Sequence, residues 1–156
     1  MKKNFKKNSF VKFEKNSKII SSKDLKILKK NSKKNNINTR YCLHSINGDK
    51  HQEMIIYQKK NLFFPPKKNT KSDQSFFIIE GKLLIIIFDN YGKIKKKIIL
   101  SKNKNLYARI KKNTYNCDIP LTSYSIHLET KNCIFNKNVN KFAKFNFNYK
   151  KIINNL

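Results

Sequence analysis

The stretch from residue 65 to residue 81 reads PPKKNTKSDQSFFIIEG. Two prolines open it, a polar run follows, and residues 75–79 are mostly apolar before Glu80-Gly81 closes it. Proline and glycine at the two ends mark turns, and the apolar residues between them favour extended structure. The stretch therefore predicts a polar loop that leads into a β-strand, and then a two-residue hairpin turn at Glu80-Gly81.

The same alternation of apolar runs and turn residues continues on both sides of this stretch. Short apolar or alternating runs separated by turn residues extend from Arg40 to about residue 130. They predict strands at residues 53–58, 62–64, 75–79, 82–88, 93–100, 106–110 and 124–129. Regularly spaced short strands indicate a sandwich or a barrel, with an antiparallel meander in the middle of the chain.

Both ends of the chain differ from this central part. Ser21 and Asp24 form an S-x-x-D capping box that predicts a short helix, broken from Asn31 to Asn36. The 156 residues fit one domain, which we divide into a basic, flexible arm (1–20), a helical segment (21–39), a barrel (40–135) and a Lys/Asn-rich extension (136–156). Within the extension, residues 141–149 alternate enough to add an edge strand or a strap.

The net charge of +27 invites a nucleic-acid interpretation, because phosphate neutralisation drives such binding. Only two of the 36 basic residues are arginines, Arg40 and Arg109, and arginine is the residue that suits bidentate recognition. Abundant Lys, Asn, Ile and Phe are what AT-rich codons encode. We therefore expect solvated surface lysines and no specific nucleic-acid partner, and keep a lysine-driven polyanion-binding protein as an alternative.

Cysteine usage and hydropathy favour a cytoplasmic, soluble protein. Cys42, Cys117 and Cys133 are odd in number and widely spaced, so neither a disulfide framework nor a zinc knuckle is indicated. The basic start has no apolar segment after it, and the longest apolar run, residues 83–88, is far too short for a membrane span. No nucleotide-binding fingerprint is present.

Residues 65–81 also resemble the first motif of the cupins, in which H-x-H is followed by three or four residues, E, six residues and G. Here Lys67-x-Asn69 is followed by four residues, Gln74, six residues and Gly81. The second cupin motif, P-x-G-x-x-H, has its counterpart at residues 111–116, with Asn116 in the histidine place. The resemblance implies an all-β, cupin-type double-stranded β-helix (jelly-roll) barrel with a short N-terminal helix and basic tails.

Within the cupins, residues 20–145 resemble the WbuC-like metalloproteins through an ordered set of landmarks. Gln74 to Gly81 is similar to their E-S-F-x-V-L-x-G, residues 88–94 to F-D-x-x-G-x-I, and residues 49–54 to D-x-x-Q-x-M. Arg40 followed by Leu43-His44 resembles their R…N-x-H. The resemblance implies a bacterial cytoplasmic protein linked to surface-polysaccharide (O-antigen type) metabolism.

The chain departs from that family at its metal ligands. The expected His, His, Glu and His are replaced by Lys67, Asn69, Gln74 and Asn116. Amide oxygens are poor transition-metal ligands, and an ammonium group repels a cation. We therefore expect no metal and no cofactor. Two interpretations stay open: loss of the site by drift, or a pocket that binds a small polar or sugar-like ligand.

His44 and His127 are further pocket candidates. Strand alternation places Ser125, His127 and Glu129 on one face, which points either into the barrel or to solvent. His44 matches a family position just before the barrel, where a structural role is the simpler interpretation. A rebuilt site of His127, Cys117 and Asp118 is a weaker hypothesis, because no spacing supports it.

Without the family's ligands we expect a binding protein and not an enzyme. The first rival is a metal-independent sugar isomerase or epimerase in which Lys67, Gln74, Asn116 and His127 converge in one cavity. Barrel edges expose unpaired strands, and pairing of two copies would protect them, so a homodimer is among the expected partners.

Overall fold

The structure is a computed structural model that describes residues 4–6, 9–11, 17–44, 49–134, 136–149 and 152. Strands dominate the described residues, with one α-helix near the start, so the predicted all-β class with a short N-terminal helix is confirmed. The elements in chain order are β1 (Asn4–Lys6), β2 (Ser9–Val11), α1 (Ser22–Asn35), β3 (Thr39–Cys42), β4 (His51–Lys59), β5 (Lys67–Asn69), β6 (Gln74–Phe88), β7 (Ile94–Leu100), β8 (Tyr107–Ile110), β9 (Tyr115–Asn132), a 3-10 turn (Lys137–Val139) and β10 (Asn140–Phe142).

Two long antiparallel strands, β6 and β9, pair with each other and with most of the other strands of the sheet. The first half of β6 pairs with β8 and its second half with β7, while β9 accompanies both halves. The second half of β9 also pairs with β4, and its first residues pair with β5. The long strands thus pass from one set of neighbours to another, which is how strands make the corners of a curled sheet.

The predicted hairpin turn at Glu80-Gly81 is wrong. The chain continues through both residues as part of β6, and the β6–β9 register shifts between Ile78 and Glu80 and again between Gly81 and Leu83. Gly81 has a φ of 76°, and a Cβ there would lie 2.4 Å from the Tyr124 carbonyl oxygen. A glycine bulge needs the same positive φ as a hairpin turn, so the sequence signal is shared.

The sheet closes around an apolar interior. Its buried core takes residues from both halves of β6 and from β7 and β8, namely Phe76, Ile78, Leu83, Ile85, Leu100, Ala108 and Ile110. The Gln58 amide on β4 donates to the Asp118 carbonyl on the first half of β9 at 3.1 Å, which ties the two halves together across the interior. Together these contacts define a jelly-roll barrel.

Helix α1 covers the outer face of one half of the barrel. Ser21 caps it, and Asp24 completes the predicted capping box by bonding back to Ser21. The helix does not break at Asn31 as expected but runs to Asn35, because Ser32 is buried and bonds Ile37, and Asn36 caps the end at a φ of 50°. Among the described residues no helix has the length and apolar character that crossing a bilayer requires.

The C-terminal segment covers the outer face of the other half. β10 pairs with β5, and the side chains of Phe145, Phe147 and Tyr149 then pack on this face as a strap, so both predicted forms of the extension occur. Residues 62–64 are not a strand, contrary to prediction. Phe63 instead stacks on Tyr149 at a centroid distance of 4.1 Å. This aromatic contact with the strap replaces the strand pairing that the sequence predicted.

The first twenty residues are described only in part. β1 pairs with β2, and β2 lies parallel to β3 at the edge of the sheet. The remaining residues up to position 16, and most of those after position 149, lie outside the described part of the chain, and so do the corresponding parts of the predicted arm and extension.

Candidate functional site

A row of polar side chains crosses the barrel interior on β9. Ser125, His127 and Glu129 are all at most 5% exposed. Their neighbours Ile126 and Leu128 face the other way and pack in the cluster beneath α1. The ring of His127 lies 6.0 Å from that of Phe76, which belongs to the interior core. The face left open by the sequence is therefore the barrel interior.

Glu129 and Lys131 form a buried ion pair on this strand. The Lys131 Nζ lies 2.6 Å from the Glu129 Oε1, with side-chain exposures of 10% and 6%. Burial alone raises the pKa of Glu129, but the charges of Lys131 and Lys67 outweigh burial and hold that pKa at about 2. The interior thus contains a carboxylate that stays ionised because two ammonium groups face it.

His127 is a neutral imidazole in this setting. Burial lowers its pKa, and Lys67 lowers it further, while Asp118 and Glu129 act in the opposite direction without offsetting the burial. Its Nδ1 lies 3.4 Å from the Ser125 hydroxyl, and its Nε2 has no hydrogen-bond partner in the described part of the chain. A buried imidazole nitrogen without a partner is costly unless a bound molecule or water meets it.

Two of the four positions that match the cupin ligands sit directly opposite each other. Lys67 on β5 pairs in register with Asn116 on β9, and the charge of Lys67 acts on both His127 and Glu129. The Asn116 amide nitrogen donates to the Thr114 carbonyl at 3.1 Å. Its Oδ1 is buried and finds no donor among the described residues. Lys67 and Asn116 therefore belong with Ser125, His127, Glu129 and Lys131. We call this set the interior polar group.

Gln74 also belongs to this group, at the end of the barrel. It is 2% exposed and lies directly across from Lys131 in the β6–β9 register. The Gln74 Nε2 has no acceptor within the described residues. Gln74, Asn116 and His127 therefore each present one unpaired polar atom: a donor, an acceptor, and a ring nitrogen that can serve as either.

Asn69 has a different, structural role. Its Oδ1 accepts the backbone amides of Lys71 and Ser72, both at 2.9 Å, and so fixes the turn between β5 and β6. This is an Asx-type turn, in which the side chain mimics the backbone. The Asn69 oxygen is thus occupied at the position where the cupin motif has its second histidine.

The residues at the cupin positions do not fit a divalent metal. Lys67 brings a positive charge to the site, the Asn69 oxygen is used by two backbone amides, and the Asn116 nitrogen is used by Thr114. In the described ranges no three His, Cys, Asp or Glu side chains gather closely enough to hold a metal ion. His127, Glu129 and Asp118 share the interior without forming such a group.

Two weaker candidate sites are not supported by the structure. The rebuilt site of His127, Cys117 and Asp118 is wrong, because Cys117 packs in the outer cluster beneath the strap with Leu84 and Ile119, and burial raises the pKa of its thiol. His44 lies at the β3–β4 edge, with its Nδ1 2.9 Å from the Glu53 carbonyl. No contact in the described segments joins His44 to the interior group.

The ion pair is what sequence reasoning missed. The predicted strand ended at residue 129, so Glu129 was placed on the face of His127 and Lys131 was not included. The alternation that selects Ser125, His127 and Glu129 also selects Lys131, two residues further along the same face. In a chain with so many lysines, nothing local distinguishes a buried lysine from a surface lysine.

No family model and no curated protein matches this sequence. Solved structures do match. Protein SO0799 from Shewanella oneidensis has a TM-score of 0.54 at 8% identity, over 72% of this chain and 71% of that one. The capsular polysaccharide assembling protein CapF from Staphylococcus aureus has a TM-score of 0.56 at 16% identity, over 68% of this chain and 31% of that one.

Procruciferin, an 11S globulin from Brassica napus, gives a TM-score of 0.51 at 11% identity, over 62% of this chain and 25% of that one. The chain thus spans less than a third of the length of CapF and of procruciferin. At these identities the likeness concerns the fold. Together with the curled sheet, it defines a protein with the cupin fold, a jelly-roll barrel.

Proposed function

We propose that this cupin-fold chain is a divergent relative of the WbuC-like proteins, and that it binds a small polar, sugar-like ligand in its barrel without a divalent metal. One observation carries the proposal: Gln74, Asn116 and His127 each hold a buried polar atom that has no partner among the described residues. Leaving such atoms unpaired costs about 1–3 kcal/mol each. A molecule rich in hydroxyl groups both donates and accepts, and so satisfies all three.

The class of ligand follows from the same atoms. The interior combines an amide donor, an amide acceptor, a neutral imidazole and the Lys67 ammonium, beside the apolar rings and chains of Phe76 and Ile78. Sugar rings have the same mixture of apolar faces and hydroxyl edges, and few precisely placed polar groups on an apolar wall are typical of small-molecule sites. The fold likeness to a capsular polysaccharide assembling protein supports a role in surface-polysaccharide metabolism.

The direct test is a titration of the purified protein with neutral monosaccharides and sugar nucleotides, followed by nitrogen–proton NMR. We expect at least one of them to shift the signals of the β9 interior residues. Asn116→Leu should abolish those shifts, because the unpaired acceptor is gone and the barrel remains closed. Asn103→Leu, an exposed asparagine in the β7–β8 loop, is the matched control.

Failure takes two forms. A natural protein that shows no shift with any sugar contradicts ligand binding in the barrel. Equal loss of binding in Asn116→Leu and Asn103→Leu contradicts the site, since the second variant lies outside it.

A metal-independent isomerase or epimerase is the second candidate function, and His127 is the observation in its favour. A neutral imidazole with an unpaired nitrogen, beside the Lys67 ammonium, can take a proton next to a carbonyl whose developing charge the ammonium stabilises. This function predicts deuterium incorporation from heavy water into a bound sugar, lost in both His127→Leu and Lys67→Ala. Binding without exchange would leave the protein a binding module.

A further inference from the structure

A second concave site lies at the end of the barrel and shares only Lys131 with the interior polar residues described above. It is a pocket of about 420 Å³ where β4 and β6 begin and β8 and β9 end. Its wall is formed in part by Lys71, Asp73, Arg109 and Lys112. The register explains the convergence, because Ser75 on β6 lies directly across from Arg109 on β8 and from Thr130 on β9. We call this the rim pocket.

The rim pocket has an excess of positive charge. Lys71, Arg109 and Lys112 are set against the single carboxylate of Asp73. Lys131 also lines the pocket, but its charge is matched by Glu129. Two positive charges therefore remain unbalanced at one concave spot, where low-dielectric walls strengthen their attraction for an anion.

Asp73 positions the cations and does not compete for the ligand. Its Oδ2 accepts from the Arg109 Nε at 2.9 Å and lies 3.1 Å from the Lys111 Nζ, and its Oδ1 accepts the Lys112 backbone amide at 3.0 Å. Both carboxylate oxygens are therefore occupied. Binding through Nε fixes the plane of the guanidinium, whose two terminal amino groups have the fork geometry that matches phosphate oxygens.

Composition adds an independent reason to single out this pocket. The chain contains only two arginines among its 36 basic residues, and one of them stands on this wall with a carboxylate holding it. The Ser75 hydroxyl also lines the pocket and lies 2.8 Å from the Tyr107 hydroxyl. A guanidinium, two ammonium groups and a hydroxyl suit a tetrahedral oxyanion with several acceptor oxygens.

We propose that the rim pocket binds a phosphate group, with Arg109, Lys112 and Lys71 as its ligands and Asp73 as the positioning residue. The site does not depend on a sugar in the barrel. The phosphate comes either from free inorganic phosphate or from a phosphate ester of a small metabolite, and the two sources share the same recognition chemistry.

The test is isothermal titration calorimetry at constant ionic strength, with inorganic phosphate in one arm and glucose 1-phosphate in the other. We expect saturable binding in at least one arm. Arg109→Gln should weaken it about tenfold or more, because a charge-assisted hydrogen-bond donor is lost. Arg109→Lys should restore only part of the affinity, since an ammonium cannot form the bidentate pair.

The controls separate a built site from general positive charge. Lys102→Gln and Lys104→Gln remove the same charge from exposed lysines of the β7–β8 loop and should leave the affinity unchanged, whereas Lys112→Gln lowers it. Asn116→Leu should also leave the affinity for inorganic phosphate unchanged, which distinguishes failure here from failure of the barrel site. Circular dichroism confirms that each variant is folded.

Three results would overturn the proposal. One is the absence of saturable binding in both arms. Another is an equal loss of affinity in Lys104→Gln and Arg109→Gln. The third is tight binding of single-stranded DNA that Arg109→Gln leaves intact while phosphate does not compete, which would assign the positive charge to nonspecific polyanion contacts.

Discussion

At the scale of single residues, the charge state of each buried group in the barrel interior depends on the charged groups that face it. Glu129 stays ionised although it is buried, because Lys131 and Lys67 face it. His127 stays neutral because burial outweighs the two carboxylates near it. The same strand therefore holds one group that must be charged and another that must not be.

The ion pair predicts an asymmetry between single and double substitution. Lys131→Met leaves the Glu129 carboxylate buried without its nearest partner, so the free energy of unfolding should fall by about 3–5 kcal/mol. The double variant Glu129→Leu/Lys131→Met should recover most of that loss, because neither charge remains. Urea unfolding measures both, with Lys104→Met as an exposed control. A single variant as stable as this control would show that the pair is not buried.

His127 and Glu129 contribute to the pH dependence of stability, and the half-buried His44, whose pKa burial also lowers, adds to the part near neutral pH. The lowered pKa of His127 means that the unfolded chain binds a proton more readily, so stability falls as pH drops below the ordinary value of 6.5. The lowered pKa of Glu129 has the same sign and adds a further loss between pH 4.5 and about 2.

Urea unfolding between pH 8 and pH 5 measures the first of these losses. His127→Leu should reduce the slope, and substitution of the exposed His51 by Gln should leave it unchanged. A natural protein with constant stability over this range would contradict a buried neutral imidazole.

At the scale of elements, the bulge in β6 decides where the sheet turns. Gly81→Ala puts a Cβ 2.4 Å from the Tyr124 carbonyl oxygen at a φ of 76°, so we expect a loss of about 2–3 kcal/mol or misfolding. Ser123→Ala, at an exposed site on the facing strand, should change stability little. Thermal unfolding distinguishes the two, and equal melting temperatures would show that no bulge is formed there.

The sequence predicted elements whose signal is local. The capping box at Ser21, the strand runs and the motif spacing from Lys67 to Gly81 were all readable from neighbouring residues. The first half of β9 was not predicted, because Pro120 and the polar residues before it argue against a strand. Proline is accepted there because it lies opposite Leu83, where the register has just shifted and the ladder is already interrupted.

The site was predictable only in part for a similar reason. Motif spacing pointed to Lys67, Gln74 and Asn116; Gln74 and Asn116 are buried, and Lys67 pairs in register with Asn116. Motif spacing could not show that the Asn69 side chain binds the backbone of the turn that follows it. That contact depends on the backbone path after β5. The rim pocket joins residues from four strand ends, and their proximity is a property of the register alone.

At the scale of the whole molecule, the barrel is closed on both outer faces, by α1 on one half and by the C-terminal strap on the other. The strap carries Phe145, whose ring lies 5.5 Å from those of Phe88 and Tyr115. A jelly roll of this size gains much of its stability from such covers, because each outer sheet face carries apolar side chains that would otherwise contact water.

Removal of one ring should therefore show whether the strap is part of the folded unit. Phe145→Ala should lower the free energy of unfolding by about 2–4 kcal/mol, whereas Phe142→Ala, at a side chain that is 54% exposed, should cost far less. Equal and small losses in urea unfolding would mean that the strap does not hold the barrel together.

Our main proposal is that the barrel has the cupin architecture and that the positions matching the cupin ligands serve a polar ligand and not a metal. Metal content by plasma mass spectrometry tests it most directly, on the natural protein beside a variant that carries Lys67→His, Asn69→His, Gln74→Glu and Asn116→His. We predict a natural protein without stoichiometric metal and a variant with about one equivalent of a divalent ion. Stoichiometric metal in the natural protein would show that the barrel still holds a metal site.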